Sequence, residues 1–333
     1  MRQRCMRRRS AGFTLVELMV GMVLSLFIAA ALGTLVVNMS RAHAELDRSS
    51  QQIENGRYAI DLLSDEIKLA GFYADATTDP LYTQPAACAT AIANLGWSTS
   101  PIRAPNPIEG FTGDGDVPPC VTANSSHVFQ TGLLALHRLS VKQTAVNSVS
   151  GVDAYVQSSQ CTSVPLSIVI SANPADFTLE NVKCDAVNPV RRYLSRIYYV
   201  SPCSDCAPGD GIPTLKRLDL EGGAWKETAL AEGIQEMQFE YGFDTSATPD
   251  GAPDEFRTTL DGVGGSKAND WANVMAVRVW VLSRTTEATR GYSDTKTYNL
   301  GAHGSRGPFN DGFKRRVYTT VVRLQNPAGW RES

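Results

Sequence analysis

The sequence lacks the short motifs that many enzyme families carry around their reactive groups. It contains no Walker-type phosphate loop, no Gly-x-Ser-x-Gly turn and no His-Glu-x-x-His zinc motif. No partner at metal-ligand spacing accompanies its four histidines, His43, His127, His137 and His303. We therefore expect a protein that is not an enzyme and that binds neither a metal nor a cofactor.

Acidic side chains are absent from residues 1–12, which contain five arginines: Arg2, Arg4, Arg7, Arg8 and Arg9. The remaining residues carry 26 basic and 34 acidic side chains, so their net charge is about −8. A net charge of that sign disfavours binding to a polyanion. We therefore expect no interaction with nucleic acid.

Charge is nearly absent from the segment that follows the arginines. Between Phe13 and Ser40 the only ionisable side chain is Glu17, and Leu18–Val37 provides twenty uncharged residues. A helix of that length crosses roughly 30 Å of hydrocarbon. Because basic flanks stay in the cytoplasm, the N-terminus is predicted to be cytoplasmic and the rest exported. A cleaved secretory signal is the alternative, but the apolar character continues past the small residues 29–31 without a turn signal.

Proline is absent until Pro80, and the helical pattern continues beyond the apolar stretch. Apolar residues recur on one face of a helix at Leu46, Ile53, Ile60, Leu63, Ile67 and Ala70. Gly71 is a plausible end of this helix. We predict one helix with a transmembrane half over residues 13–38 and an amphipathic half over residues 39–71. Ile60, Leu63 and Ile67 are expected to pack against the protein's own exported domain.

Residues 72–333 are predicted to form a β-rich exported domain. The segment 75–124 is rich in Pro, Thr, Gly and Ala and is expected to be irregular. Strand patterns follow at 132–141, 166–171, 192–200, 215–220, 236–243, 274–283 and 316–324. A long helix followed by strands predicts an α+β protein in which an antiparallel sheet packs on the helix. We find no internal repeat and no second transmembrane segment.

Six of the seven cysteines follow the apolar stretch: Cys88, Cys120, Cys161, Cys184, Cys203 and Cys206. In an oxidising compartment they predict three disulfides, whereas in a reducing cytosol they would be six free thiols. Export of this part favours the disulfides. Sequence proximity favours the pairs Cys88–Cys120, Cys161–Cys184 and Cys203–Cys206.

The Cys203-Ser204-Asp205-Cys206 motif has three interpretations. A redox centre would need a helix N-terminus at the first cysteine, and the following Ala-Pro-Gly-Asp-Gly-Ile-Pro disfavours a helix. A zinc site would recruit Cys161 and Cys184. A structural disulfide is the interpretation that we favour.

Acidic residues are concentrated in the Gly-rich segment 244–270. Asp250, Asp254 and Glu255 offer oxygen ligands for Ca²⁺, but their spacing does not match an EF-hand loop. We expect a solvated loop.

The stretch from Arg7 onward, RRRSAGFTLVELMVGMVLSLFIAAAL, resembles the processing site of type IV prepilins and type II secretion pseudopilins. In that family a short basic leader ends in Gly, an inner-membrane peptidase cuts after it, and the new N-terminal residue is N-methylated by the same enzyme. Gly12, Phe13 and Glu17 stand at the matching positions. The resemblance implies a leader over residues 1–12 and a type IV pilin fold.

Glu17 is unexpected in an apolar segment, because a carboxylate in lipid is costly unless it is paired. The resemblance implies that Glu17 pairs with the N-terminal amine of a neighbouring subunit and so fixes the register of assembly. The alternative is a Glu17 that reaches the headgroups or pairs with its own amine, which we expect before assembly.

Four later segments resemble the PilW-type minor pilins: LSRIYYVSPCSDC, GDGIPTLKRLDLEGG, WANVMAVRVWVLSRT and FKRRVYTTVVRLQNPAGW. The resemblance implies a minor pilin that joins other minor pilins in an inner-membrane complex priming pilus assembly. Its partners would include the major pilin, a large tip protein and inner-membrane lipid. The exported domain would lie first in the periplasm and then in the pilus, near the tip but below another protein.

Two other functions are compatible with the sequence. A J-type pseudopilin of type II secretion shares the leader and the fold, and its exported part is expected to be smaller. A membrane-anchored adhesin or binding protein would use the exported domain for a ligand.

Overall fold

The computed structural model describes residues 12, 14–76, 82–124, 126–246, 248–260 and 267–332, without the side chains of residues 123, 124 and 267–269. Phe13, the leader up to residue 11 and part of the acidic segment therefore lie outside the described residues. The chain divides into two compact units, Met1–Ser50 and Gln51–Ser333.

The first unit is helical from Leu15 onward, as the start of helix α1 (Leu15–Leu69). Apolar side chains from Leu15 to Met39 are exposed all round this part of the helix. By length and composition alone, α1 is the one helix among the described residues that is long and apolar enough to cross a membrane.

The second unit contains the end of α1 and a β-rich domain. Its strands are β1 (Tyr82–Thr83), β2 (Ser98–Thr99), β3 (Ile102–Pro105), β4 (Ile108–Phe111), β5 (Leu133–Thr144), β6 (Tyr155–Ser158), β7 (Ile168–Ser171), β8 (Val190–Ser201), β9 (Thr214–Glu221), β10 (Ala224–Glu232), β11 (Ile234–Phe243), β12 (Glu255–Arg257), β13 (Val274–Arg284), β14 (Tyr298–Asn299), β15 (Ser305–Arg306) and β16 (Arg315–Arg323). Its further α-helices are α2 (Pro119–Asn124), α3 (Lys267–Ala272) and α4 (Gln325–Arg331).

Two antiparallel sheets dominate this unit. The larger has seven strands, with β10, β9, β8, β5 and β4 in order and with β6 and β7 joined through β8. The smaller has the order β12, β11, β13, β16. The predicted α+β arrangement, a long N-terminal helix followed by a mostly antiparallel β domain, is confirmed.

The strand prediction omitted β6 and β10, and two further corrections concern the sheets. Segment 75–124 is not wholly irregular, because it contains β1–β4, and β4 pairs with β5 in the larger sheet. The domain also has two principal sheets rather than one. Both face the same core: Tyr198 and Leu215 of the larger sheet are fully buried with Val279 of the smaller sheet.

The end of α1 supplies the helical side of this core. Leu63 and Ile67 are fully buried in it, and Ile60 is partly buried against it, as the helical pattern predicts. The buried face differs from the predicted one near its start. Leu46, in the first unit, is 65% exposed, whereas Gln52 and Gly56 are buried in the second.

Gly56 is buried on the face of α1 that contacts the sheet, although it was not among the apolar residues used to predict that face. A Cβ at this position would lie 2.3 Å from the ring of Tyr318 in β16. The helix and the sheet edge therefore approach through a residue without a side chain. One turn earlier, the amide of Gln52 donates to the carbonyl oxygens of Ser283 and Lys314 at 3.1 and 2.9 Å, so a polar side chain is satisfied inside the contact.

An ion-pair network joins α1 to the larger sheet. One carboxylate oxygen of Glu66 lies 2.6 Å from the Arg196 guanidinium and 3.5 Å from that of Arg138. Arg196 also donates to Asp219 at 2.8 Å. All four side chains are less than one fifth exposed. Because a largely buried charge without a partner is costly, this network fixes the helix against one part of the sheet.

Candidate assembly site at the helix start

Glu17 lies on the first turn of α1 and forms a reciprocal set of hydrogen bonds with Thr14. The backbone amide and the hydroxyl of Thr14 both donate to Oε2 of Glu17 at 2.9 Å. The backbone amide of Glu17 approaches Oγ1 of Thr14 at 3.3 Å. This is a capping box, in which residues three apart satisfy amides that the first turn leaves without partners.

Thr14 is a residue of this candidate site that the sequence analysis missed. The signal was present as Thr-x-x-Glu directly before an apolar run, a pattern that predicts a helix N-terminus. The amide of Leu18 donates to the carbonyl of Thr14 at 3.1 Å, which closes the first helical turn. Thr14 therefore determines where the helix begins, and Glu17 follows on its first turn.

The arrangement gives the Glu17 carboxylate two sources of stabilisation before any partner is present. One is the pair of hydrogen bonds from Thr14, and the other is the positive end of the helix dipole. Neither supplies a full positive charge. A carboxylate held in this way remains able to bind a cation such as an amine.

Gly12 is exposed, and a Cβ built there would meet nothing within 4 Å. Packing within the described part of the first unit therefore gives no reason for glycine at this position. Phe13 lies outside the described residues. Of the three predicted processing and assembly residues, the structure thus places Gly12 and Glu17 at the helix start.

The six cysteines of the second unit form three disulfides: Cys88–Cys120, Cys161–Cys184 and Cys203–Cys206. These are the pairs that sequence proximity favours. A zinc site built from Cys161, Cys184, Cys203 and Cys206 is not formed, because each pair closes on itself.

Among the described residues, one group of side chains has metal-ligand spacing: Cys161, Glu180 and Cys184. The two sulfurs are joined to each other, so the group offers no thiolate. Only the carboxylate of Glu180 remains as a ligand, and a single carboxylate does not make a metal site.

Two carboxylates of the acidic segment, those of Asp244 and Asp254, accept hydrogen bonds from backbone amides of the same segment. Asp244 accepts hydrogen bonds from the amides of Asp250 and Gly251 at 3.1 and 2.9 Å and lies 3.3 Å from the guanidinium of Arg331. Asp254 accepts from the amide of Thr245 at 2.7 Å. The candidate Ca²⁺ ligands Asp250, Asp254 and Glu255 do not form a metal-spaced group in the part of the segment that the structure describes.

The histidines of the second unit also have local roles. His303 Nε2 lies 2.8 Å from the carbonyl of Phe239, and His127 Nε2 lies 3.0 Å from that of Thr131. His137 is buried, with Nδ1 3.0 Å from the Tyr193 hydroxyl, and this burial lowers the pKa of His137 to about 4.

Comparison with known families separates the chain into two recognisable parts. The family model of the prokaryotic N-terminal methylation motif matches residues 7–33, and that of type IV pilus-assembly protein W, PilW, matches residues 197–326. No curated protein and no solved structure matches the chain. The second match covers the strands from β9 to β16 and the Cys203–Cys206 motif.

A methylation motif on a long apolar helix, followed by a mostly antiparallel β domain, is a pilin-like layout. The PilW match makes this similarity more specific, and the two matches together support a type IV pilus minor pilin. Families of this kind are structural components of pili rather than enzymes. The apolar helix and the prepilin motif are compatible with an inner-membrane anchor that carries a periplasmic domain.

Proposed function

We propose that this chain is made as an inner-membrane precursor, is cut after Gly12, is N-methylated at Phe13 and then joins other minor pilins in a complex that primes pilus assembly. The observation that carries this proposal is the methylation motif on an apolar helix with Glu17 on its first turn, in the same chain as a PilW region. That motif supports cleavage and methylation by the prepilin peptidase.

Glu17 acts in assembly through its charge. Before assembly the carboxylate is held by Thr14 at the start of the helix. Cleavage creates an amine at Phe13, and each subunit then offers an amine to the acid of a neighbour. Pairing of the two charges in lipid removes the cost of an uncompensated carboxylate and fixes the axial offset between subunits.

The exposed apolar surface of the first unit then packs against other pilins. The side chains of 18–37 exchange contact with lipid for contact with neighbouring helices as the subunit leaves the bilayer. The exported domain remains outside the membrane, where an oxidising compartment suits its three disulfides.

The proposed position is near the pilus tip, below another protein. A subunit at the extreme end has no neighbour above it whose amine its acid would bind. This chain retains Glu17, so we place a further subunit or a large tip protein above it and the major pilin below. Other minor pilins are its partners in the priming complex.

A deletion strain tests the proposal against the related functions. We expect loss of surface pili with normal secretion of exoproteins, and recovery of the chain with sheared pili from the wild type. Loss of secretion with normal pili would instead identify a pseudopilin of type II secretion. Normal pili and normal secretion, with a ligand bound by the exported domain, would identify an anchored binding protein.

A further inference from the structure

The Cys203–Cys206 disulfide differs from the other two in the loop that it closes. Its cysteines are 3 residues apart, whereas Cys88–Cys120 and Cys161–Cys184 span 32 and 23 residues. The stabilisation from a disulfide grows with the length of the closed loop. Cys203–Cys206 therefore contributes least to the stability of the folded domain.

Charge also distinguishes the Cys203–Cys206 pair. The ammonium of Lys216, on β9, lies 3.5 Å from Sγ of Cys206 and is directed at it as a donor. The Lys216 side chain is only 2% exposed. The hydroxyl of Ser201 lies 3.5 Å from the same sulfur. The Cys206 sulfur therefore has a cation and a hydroxyl within hydrogen-bonding distance.

Neutral donors make the described hydrogen bonds to the other disulfides, and at Cys161–Cys184 a carboxylate oxygen of Glu180 lies within 4.8 Å of both sulfurs. The backbone amide of Cys120 donates to Cys88 Sγ at 2.9 Å. The Ser163 hydroxyl lies 2.9 Å from Cys161 Sγ and 3.5 Å from Cys184 Sγ. Since a cation stabilises a thiolate more strongly than a neutral donor does, the product of reduction is most favoured at Cys206.

Glu227, on β10, moderates the charge of Lys216. Its Oε1 accepts from the ammonium at 2.7 Å, and its Oε2 accepts from the hydroxyl of Tyr199. The buried ammonium is thus shared between a carboxylate and a sulfur. The hydroxyl of Tyr199 thus helps to hold the Glu227 carboxylate beside Lys216. Removal of the Glu227 carboxylate would leave more of the Lys216 charge available to Cys206.

The two cysteines of this disulfide differ in their exposure to solvent. Cys203 is 7% exposed, whereas Cys206 is an exposed residue on the surface of the loop. An external thiol therefore reaches Cys206 first. The loop also has support that does not depend on the S–S bond, because Asp210 accepts from the amides of Ser204, Asp205 and Ile212 at 3.0, 2.8 and 2.9 Å.

We propose that Cys203–Cys206 is a thiol–disulfide exchange site for dithiols. One sulfur of the dithiol, as thiolate, attacks Cys206 Sγ, the Cys203–Cys206 bond breaks, and Cys203 leaves as a thiolate that takes up a proton. The second sulfur of the dithiol, as thiolate, then attacks the first and displaces Cys206, which remains a thiolate beside Lys216. The dithiol becomes a disulfide, two electrons pass to the cysteine pair, and the second proton goes to solvent.

A helix N-terminus at Cys203 is not needed to stabilise a thiolate in this loop, because Lys216 can do so. The segment after Cys203 contains turns and no helix among the described residues. Lys216 provides, through a buried ammonium, the positive potential that a helix N-terminus provides elsewhere. Besides Glu227, the described carboxylates with hydrogen bonds to the loop are Asp205, Asp210 and Glu232. Asp205 and Asp210 accept from loop amides, and Glu232 accepts from the hydroxyl of Ser204.

The test is a redox titration of the full-length protein in detergent with mixtures of reduced and oxidised dithiothreitol. Free thiols are alkylated after each equilibration, and the reduced fraction of each pair is measured by peptide mass spectrometry. We expect Cys203–Cys206 to be reduced at a ratio of reduced to oxidised reagent about tenfold or more below that needed for the other two pairs. Reduction of all three pairs at the same ratio would overturn the proposal.

Two variants of the Lys216–Glu227 ion pair separate stabilisation of the Cys206 thiolate from a general loss of structure around the disulfide. Lys216→Met removes the cation, and about tenfold more reduced reagent should then be needed at Cys203–Cys206. Glu227→Gln removes the competing carboxylate and should shift the midpoint the opposite way. If both variants made reduction easier, Lys216 would have only a structural role and the proposal would fail.

Alkylation of the reduced wild-type protein needs no variant. Cys206 should react with iodoacetamide below about pH 7, where an ordinary thiol is mostly protonated, and faster than Cys203. If neither cysteine reacted faster than a free thiol at that pH, the proposed thiolate would not exist.

Discussion

The two units of this chain use helix α1 in opposite ways. In the first unit, apolar side chains such as Leu18 and Phe27 are exposed, and the acid on the first turn is held only by Thr14 among the described residues. In the second unit, Leu63 and Ile67 are fully buried, and the acid Glu66 is in contact with two guanidinium groups. The second half of the helix buries its apolar side chains and pairs its acid Glu66 within the chain. The first half leaves its apolar side chains exposed and its acid Glu17 without a cation among the described residues.

This difference separates folding from assembly. A buried face with paired charges stabilises the domain by itself. An exposed apolar face with an acid near its end requires lipid or other helices as its surroundings. Substitutions in the two halves of α1 should therefore have different consequences, and each of the following experiments tests one side of that division.

The largest expected effect is that of Glu17→Ala on incorporation into pili. The variant should be cut normally and remain in the membrane, because the motif around Gly12 is intact. Without the carboxylate, the neighbour's amine has no counter-charge, so the amount recovered with sheared pili should fall by about tenfold or more. Immunoblots of the sheared and membrane fractions measure both quantities.

Glu17→Gln is the matched control for the helix cap. Glutamine preserves the capping box but removes the charge. Incorporation should therefore fall as it does for Glu17→Ala. Incorporation of Glu17→Gln at the wild-type level would contradict a role for the charge.

Leu63→Ala should affect folding and not processing. The side chain is fully buried between the helix and both sheets, so its truncation should lower the free energy of unfolding by about 2–5 kcal/mol. Urea unfolding of the full chain in detergent, followed by tryptophan fluorescence, measures the loss. Leu46→Ala, at a 65% exposed position of the first unit, should change it by less than about 0.5 kcal/mol.

We expect His137 to make the free energy of unfolding of the second unit depend on pH, with a smaller effect than the substitutions above. Burial lowers the pKa of His137 to about 4 in the folded protein, against about 6.5 in the unfolded chain. The unfolded state therefore binds the extra proton first, so the stabilisation is complete above about pH 6.5 and is lost as the pH falls towards 4. At most about 3 kcal/mol is involved, by the conversion of pKa shifts into free energy.

The measurement is the difference in unfolding free energy between neutral and mildly acidic pH, for the wild type and for His137→Asn. The wild type should lose more stability than the variant over this range. Equal losses would show that His137 is not kept neutral by the fold.

The elements that were predicted correctly are those with a local, periodic signal. The absence of proline and the apolar periodicity predicted α1, and alternation in 274–283 predicted β13, where Val277, Val279 and Val281 are all fully buried. The capping box was missed although Thr14 and Glu17 have the required spacing. Its recognition needed only the pattern of residue types before the apolar run.

Strand β10 (Ala224–Glu232) was missed because its side chains are mostly exposed and do not alternate. A local signal was present in the turn before it. Gly222 and Gly223 both have positive φ, at 64° and 74°, and join β9 to β10 as a two-residue hairpin turn. The contact of Lys216 with Cys206 had no comparable signal, because these residues meet only when β9 folds beside the loop.

The most direct test of the account is the mass of the chain's N-terminal peptide in purified pili. We predict that the chain begins with N-methylated Phe13, and that Gly12→Ala leaves an uncut precursor that stays in the inner membrane. A chain in pili that still carries residues 1–12, or a Gly12→Ala variant of normal mature size, would contradict the account.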